Sequence, residues 1–132
     1  MQNEKISILV ADDDRDILSY FRAVIKAPNI ALTLVSNGER ALEQARRNHF
    51  HLAFIDVNMP GLTGIETLIE WKKIQAKTQV VIISSYSDAE LVRTAIAQGA
   101  FTYLFKPLNK MDLYSVTVQS LKQAGIQTPL SF

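Results

Sequence analysis

The sequence predicts an α/β fold in which five parallel strands form one doubly wound sheet with helices on both faces. Short runs rich in Ile, Val, Leu and Phe alternate along the chain with longer segments of helical periodicity. Several of these runs are almost uninterrupted, which is typical of parallel strands covered on both faces. The length of 132 residues suits one compact domain that needs neither a metal nor a disulfide to fold.

Each predicted strand is followed by a helix, so the order is strand then helix five times. The first, third and fourth strands are the most continuously apolar, and we expect both of their faces to be covered. The domain is expected to span residues 1–124, whereas the tail 125–132 contains Gly and Pro and is expected to be loosely ordered. The predicted strands are Ile6–Ala11, Ala31–Val35, Leu52–Ile55, Val80–Ser84 and Phe101–Phe105.

Apolar side chains recur at helical spacing after each strand. The first helix has an apolar face of Ile17, Phe21, Val24 and Ile25, and Pro28 helps to end it. Asn109 is a predicted N-cap of the fifth helix. The apolar positions of the second to fifth helices are Ala41, Leu42 and Ala45; Ile65, Leu68 and Ile69; Leu91, Val92, Ala95 and Ile96; and Leu113, Val116 and Leu121.

The composition excludes several classes of protein. There is no cysteine, so a disulfide framework, a Cys-based zinc site and a thiol nucleophile are all excluded. The net charge is +1 without a long run of like charges, which disfavours direct nucleic-acid binding. The longest stretches without a charged residue have 12 residues, fewer than the roughly 17 to 25 that span a bilayer as a helix. We therefore expect a cytoplasmic protein that does not enter a membrane.

Polar residues stand at the predicted carboxyl ends of four strands. In a doubly wound parallel sheet, ligands bind beyond these ends. Taken singly, each residue has an ordinary structural explanation, such as a helix cap or a solvated lysine. Three clustered carboxylates, however, repel one another and need a counter-charge, which Mg²⁺ or Mn²⁺ supplies through oxygen ligands. The four strand ends carry Asp12-Asp13-Asp14, Asp56, Ser84-Ser85 and Lys106-Pro107.

This set of acid, metal, hydroxyl and ammonium suits phosphoryl transfer, where catalysis is mostly positioning and neutralisation of charge. A carboxylate can itself be the nucleophile and form an aspartyl phosphate. Asp56 is the best candidate because it stands alone at the end of its strand. The loop that follows it contains Pro60, Gly61 and Gly64, which are turn residues that leave backbone groups free to face a ligand.

Together these motifs resemble the receiver domain of bacterial two-component response regulators, in particular its single-domain chemotaxis type. The resemblance runs from about Lys5 to Gln123 and implies a flavodoxin-like sheet of strand order 2-1-3-4-5. It is carried by Ile8-Leu-Val-Ala-Asp-Asp-Asp14, Asp56-Val-Asn-Met-Pro-Gly-Leu-Thr-Gly64, the strand end at Ser84, and Tyr103-Leu-Phe-Lys-Pro107.

The resemblance implies a role for each acid. Asp56 would accept a phosphoryl group from a sensor histidine kinase or a histidine phosphotransfer protein. Asp13 would bind Mg²⁺ directly and Asp12 through water, while Asp56 and the backbone carbonyl of Asn58 complete the protein's ligands. Asn58 also occupies a position that tunes how fast the aspartyl phosphate hydrolyses in this family.

The resemblance also implies roles for the other strand ends. Lys106 and Ser84 would bind the phosphoryl group, and the peptide bond between Lys106 and Pro107 is cis in the family. Ser84 and Tyr103 would form the switch, in which the aromatic ring moves when the hydroxyl moves. Tyr86 is a second position that tunes the phosphorylated lifetime.

The implied function is a phosphorylation-dependent signalling switch that is not an enzyme beyond its own phosphorylation and dephosphorylation. Phosphorylation would change the face formed by the fourth helix, fifth strand and fifth helix. That face would bind a downstream protein partner or effector domain, and receivers commonly pair through it only when phosphorylated.

Two alternative functions are each opposed by particular residues. An aspartyl-nucleophile metal-dependent phosphohydrolase normally has a second Asp two residues after the nucleophile, where this chain has Asn58. A flavodoxin-like cofactor binder would need a Ser-, Thr- or Gly-rich phosphate loop after the first strand, where three acids stand. His49 and His51 form an H-x-H pair without a third ligand nearby, so we do not expect a metal there. Trp71 is expected to be a partly buried aromatic at the sheet edge.

Overall fold

Five strands and five helices alternate along the chain. A computed structural model describes residues 5–86 and 88–126. All strand pairs are parallel, which confirms the predicted α/β class. The elements are β1 (Ile6–Ala11), α1 (Arg15–Val24), β2 (Ile30–Val35), α2 (Gly38–Arg47), β3 (Leu52–Asp56), α3 (Gly64–Ile74), β4 (Gln79–Ser84), α4 (Ala89–Ala97), β5 (Thr102–Phe105) and α5 (Lys110–Gln123).

The sheet is doubly wound, with the strand order β2-β1-β3-β4-β5. Successive strand residues alternate between its two faces, so two separate apolar cores form. One core contains buried residues of α2, α3 and α4, and the other contains buried residues of α1 and α5. The winding reverses between β1 and β3, and this reversal places a ligand-binding crevice at their carboxyl ends.

The three central strands are the most buried, as their continuous apolar sequences predict. Every residue of β3 is buried, whereas β2 and β5 at the sheet edges are mostly half-buried. The strand β3 is one residue longer than predicted, because Asp56 still pairs with Ile83 of β4. The peptide N–H of Val57 then donates to the Ile83 carbonyl at 2.9 Å. Asp56 is therefore held by the sheet itself and not by the loop.

Two packing details differ from the sequence predictions. Helix α5 buries Thr117 and Ser120 in addition to Leu113 and Leu121. Thr117 can be buried because its hydroxyl donates to the Leu113 carbonyl at 2.7 Å within the same helix. Trp71 was expected to be partly buried, but it is fully buried and its ring lies 5.7 Å from that of Phe50.

The structure bears on the membrane prediction and on the first residues of the predicted tail. Among residues 5–86 and 88–126, no helix is both long and apolar enough to cross a membrane. Helix α5 ends at Gln123 and is followed by a turn with Gly125 at a φ of 83°. The rest of the predicted tail, residues 127–132, lies outside the described residues.

Candidate functional site

Three carboxylates meet at the carboxyl ends of β1 and β3. These strands are neighbours, with Ala11 paired to Ile55, so the residues that follow reach the same edge of the sheet. Asp12, Asp13 and Asp56 each place one carboxylate oxygen within 4.8 Å of the others. The sequence predicted this cluster from the strand ends alone.

Lys106 brings a positive charge to the cluster from the end of β5. Its Nζ lies 2.9 Å from Oδ2 of Asp12 and 3.2 Å from Oδ1 of Asp56. Its backbone N–H donates to the Ser84 carbonyl at 2.7 Å, and its peptide bond to Pro107 is cis. One ammonium faces three carboxylates, so the cluster keeps an excess of negative charge.

The pKa values of Asp56 and Lys106 reflect this imbalance. Burial, and after it the negative charge of Asp12, raise the pKa of Asp56 from 3.8 to about 6, although the neighbouring Lys106 ammonium acts in the opposite direction. Burial alone would lower the pKa of Lys106, but its ion pairs with Asp12 and Asp56 outweigh burial and raise it. A hard divalent cation that takes oxygen ligands would supply the missing positive charge, so these residues fit such an ion.

The three acids that follow β1 have different surroundings. Asp12 is fully buried, and its Oδ1 accepts the Asp14 N–H at 2.9 Å while Oδ2 faces Lys106. Asp13 is exposed and lines the pocket over Asp56. Asp14 is the N-cap of α1 and accepts the Asp16 N–H at 2.9 Å. Of the three consecutive acids, only Asp13 combines membership of the cluster with access from solvent.

An open polar pocket of about 300 Å³ lies over Asp56. Ser85, which follows the end of β4, is among the residues that line this pocket. The strand pattern could have indicated this position for Ser85. The buried run of β4 ends at Ser84, and side chains alternate in direction along a strand, so the side chain of Ser85 points away from that of Ser84. The other residues that line the pocket are Asp13, Asp14, Asn58, Tyr86 and Lys106.

The predicted switch residues form a connected set of contacts. Ser84 is 1% exposed, and its Oγ accepts the Tyr86 N–H at 2.9 Å. The Tyr103 hydroxyl donates to the Tyr86 carbonyl at 3.5 Å. The Tyr103 ring lies 5.1 Å from the ring of Phe105, which is 47% exposed. The contacts therefore run from the buried hydroxyl of Ser84 at the end of β4 to an exposed aromatic side chain on β5.

His49 and His51, the H-x-H pair, precede β3 and therefore lie at the amino-terminal ends of the strands, opposite the acidic cluster. The Ser7 N–H donates to Nδ1 of His51 at 3.0 Å, which requires a neutral ring with its proton on Nε2. In this state His51 has no free ring nitrogen for a metal. Within residues 5–86 and 88–126, the only group of three or more carboxylate or histidine ligands close enough to share an ion is Asp12, Asp13 and Asp56.

Comparison with known sequences agrees with this geometry. The profile of the response regulator receiver domain family matches residues 8–117. The transcriptional regulatory protein ZraR of Escherichia coli O157:H7 is 34% identical over 126 residues, and the ZraR protein of Klebsiella oxytoca is 36% identical over 131. The aligned region covers 96% and 99% of this chain but only 29% of each of those longer proteins.

Solved structures show the same fold. The CheY-like receiver domain protein of Methanospirillum hungatei JF-1 superposes with a TM-score of 0.88 at 23% identity, covering 92% of this chain and 98% of that one. The BeF3-activated DrrB receiver domain has a TM-score of 0.82 at 27% identity. The superposed region covers 89% of this chain and 98% of the DrrB chain. On the family match and the shared fold, this chain belongs to the response regulator receiver domain family.

Proposed function

We propose that the chain is a phosphorylation-dependent switch whose phospho-acceptor is Asp56. An oxygen of Asp56 attacks the phosphorus of a phosphohistidine on a sensor histidine kinase or histidine phosphotransfer protein. The P–N bond breaks, the donor histidine recovers its electron pair, and an aspartyl phosphate forms. The carrying observation is that Asp56 ends a central strand under an open pocket, with Lys106 3.2 Å away. On this proposal residues 1–124 form the receiver domain.

The acidic cluster would hold Mg²⁺ for this reaction. Asp13 and Asp56 would bind the ion directly, Asp12 would act through water, and Asn58 would contribute its backbone carbonyl. The bound ion would neutralise charge on the phosphoryl oxygens. The same oxygen donors would accept Mn²⁺ in place of Mg²⁺. The buried carboxylate of Asp12 has an additional role, because it holds Lys106 within reach of Asp56.

Lys106 and Ser84 would bind the incoming phosphoryl group. The Lys106 ammonium is already aimed at Asp56 and would pair with a phosphoryl oxygen. Ser84 would turn its hydroxyl toward the phosphoryl group and release the Tyr86 N–H that it now accepts. Because Tyr103 contacts the same segment through the Tyr86 carbonyl, its ring would move with this rearrangement.

The output would be a change in the face formed by α4, β5 and α5. This face carries large apolar side chains that reach solvent, with exposures of 46% for Ile96, 47% for Phe105 and 64% for Met111. Exposed apolar side chains of this size favour a protein contact. We infer that the face binds a downstream partner or effector domain, or a second phosphorylated copy. The chain would then catalyse only its own phosphorylation and dephosphorylation.

The test of this function is the intact mass of the protein after incubation with Mg²⁺ and acetyl phosphate. The parent should gain one labile phosphoryl group, and either EDTA or the substitution Asp56→Asn should prevent the gain. A folded parent that gains no mass would overturn the proposal. Sustained hydrolysis of p-nitrophenyl phosphate in excess over protein would favour the phosphohydrolase alternative instead.

Ser84→Ala should leave folding intact but weaken the effect of phosphorylation on the α4, β5 and α5 face. The variant lacks the hydroxyl that would turn toward the phosphoryl group. Phosphorylation therefore no longer draws the loop after β4 toward the site through this side chain. The measurement compares amide NMR shifts of Phe105 and Ile96 before and after phosphorylation. Ser85→Ala is the matched control, and equal shifts in the parent and Ser84→Ala would contradict the switch role.

Tyr86→Ala should shorten the lifetime of the aspartyl phosphate. Tyr86 is 51% exposed and lines the pocket, so its ring can limit the approach of water to the phosphoryl group. We expect hydrolysis to become roughly two- to tenfold faster when this shield is removed. Decay of the phosphorylated mass after removal of donor measures the rate. Tyr86→Phe keeps the ring and should decay like the parent; an unchanged rate in Tyr86→Ala would remove this role.

A further inference from the structure

The loop that joins β3 to α3, residues 57–63, is closed at both of its ends. The Gly64 N–H donates to the Val57 carbonyl at 2.8 Å. Gly64 also packs directly on the backbone of Asp56, because a Cβ at Gly64 would lie only 2.3 Å from the Asp56 carbonyl oxygen. The two ends of the loop are therefore fixed relative to Asp56, and its outer part needs a separate support.

Glu39 of α2 supplies a contact to that outer part. Its Oε2 accepts the Leu62 N–H at 3.3 Å. The same carboxylate covers Gly61, where a Cβ would lie 2.7 Å from Oε2. Gly61 has a φ of +79°, so glycine there satisfies both the backbone conformation and the close approach of Glu39. No described Lys or Arg forms an ion pair with Glu39.

The preceding residue explains why Glu39 reaches the loop. Gly38 is buried at the start of α2, where a Cβ would lie 2.2 Å from Oγ1 of Thr67 and 3.1 Å from Cβ of Leu62. The absence of a side chain lets the first turn of α2 contact both the loop and the first turn of α3. Glu39 then stands in the first turn of α2, where a negative charge is favourable.

We propose that Glu39 is a positioning residue that holds the loop so that the Asn58 carbonyl faces the acidic cluster. This inference rests on the proposed Mg²⁺ site. A loop held in its binding conformation does not have to become ordered when the ion arrives, so the ion binds more tightly. Glu39 itself would contact neither the ion nor the phosphoryl group.

The test measures Mg²⁺ affinity by calorimetric titration of the full chain with MgCl₂. Glu39→Ala should bind Mg²⁺ about three- to tenfold more weakly than the parent, which is the effect expected from the loss of one hydrogen bond. Glu39→Gln keeps an oxygen that can accept the Leu62 N–H and should stay within about twofold of the parent. Glu43→Ala is the matched control, because Glu43 lies one turn further along α2 and, among the described residues, forms an ion pair only with Arg47, at 3.7 Å.

A metal-independent measurement separates positioning from general destabilisation. In EDTA, hydrogen exchange of the Leu62 amide should become faster in Glu39→Ala but not in Glu43→Ala, while the two variants unfold at similar urea concentrations. If the parent binds Mg²⁺ and Glu39→Ala binds it equally well, the inference fails and the proposed function stands. If the folded parent binds no Mg²⁺ and accepts no phosphoryl group, both fail together.

Discussion

Replacing Gln75 with alanine is expected to lower the free energy of unfolding by about 2 to 4 kcal/mol. Gln75 ends α3, and its side chain ties together three segments of the fold. Its Nε2 donates to the carbonyls of Ala45, at 2.7 Å, and Asn48. Its Oε1 accepts the Phe50 N–H at 3.0 Å and lies 3.0 Å from the Thr78 hydroxyl. Alanine would remove the side-chain amide that these backbone groups and the Thr78 hydroxyl bind. Those of the groups that are shielded from solvent would then lack a hydrogen-bond partner, because water could not reach them.

The comparison variant for Gln75→Ala is Gln44→Ala. Within the part of the chain that the structure describes, the Gln44 side chain makes one hydrogen bond, which it accepts from Asn48 Nδ2 at 3.1 Å on the surface of α2. Its removal should therefore cost less than about 0.5 kcal/mol. Urea unfolding followed by fluorescence of the buried Trp71, with circular dichroism beside it, gives both values. If Gln75→Ala lowered the free energy of unfolding by less than about 1 kcal/mol, water would be replacing the side-chain amide, and the predicted role of Gln75 would be wrong.

The sequence predicted that the acids and Lys106 would lie together because these residues follow strand ends. Parallel strands bring their carboxyl ends to one edge of the sheet, so Asp12, Asp56 and Lys106 meet there, whatever the loops do. The same rule, together with apolar periodicity, was enough to predict the five strands and five helices. Element type follows from patterns that extend over many residues, and these patterns survive small errors at element boundaries.

Contacts between distant loops could not be predicted in this way. Nothing near Gln75 in the sequence indicates that it lies beside the end of α2, which is about 30 positions earlier in the chain. Likewise, Glu39 and Leu62 meet only because Gly38 lets α2 approach α3. The different burial of Asp12 and Asp13 also depends on tertiary structure, since one carboxylate turns inward to Lys106. Such contacts depend on how elements pack, and periodicity describes each element separately.

Asp56→Asn is expected to stabilise the metal-free protein at pH 7.5 by about 2 to 3 kcal/mol. Burial, with the charge of Asp12, raises the pKa of Asp56 to about 6, above the 3.8 of an ordinary aspartate. The folded protein therefore binds this proton more strongly than the unfolded chain. The stability that Asp56 contributes is fully present below about pH 4 and is lost as the pH rises through 6. Asparagine stays neutral and avoids that loss.

The measurement is the difference in unfolding free energy between Asp56→Asn and the parent, in EDTA, from pH 5 to pH 8. Carboxylates distant from the cluster are common to both proteins, so the difference reports Asp56 together with Asp12 and Lys106, to which its charge is coupled. The difference should already be about half of its full value near pH 5 and should reach its full value above about pH 7. Mg²⁺ should then stabilise the parent more than the variant at pH 7.5, because only the parent keeps all three carboxylates. A difference that does not change with pH would show that Asp56 is ionised throughout this range. The excess negative charge that favours a divalent cation would then be balanced within the protein by Lys106.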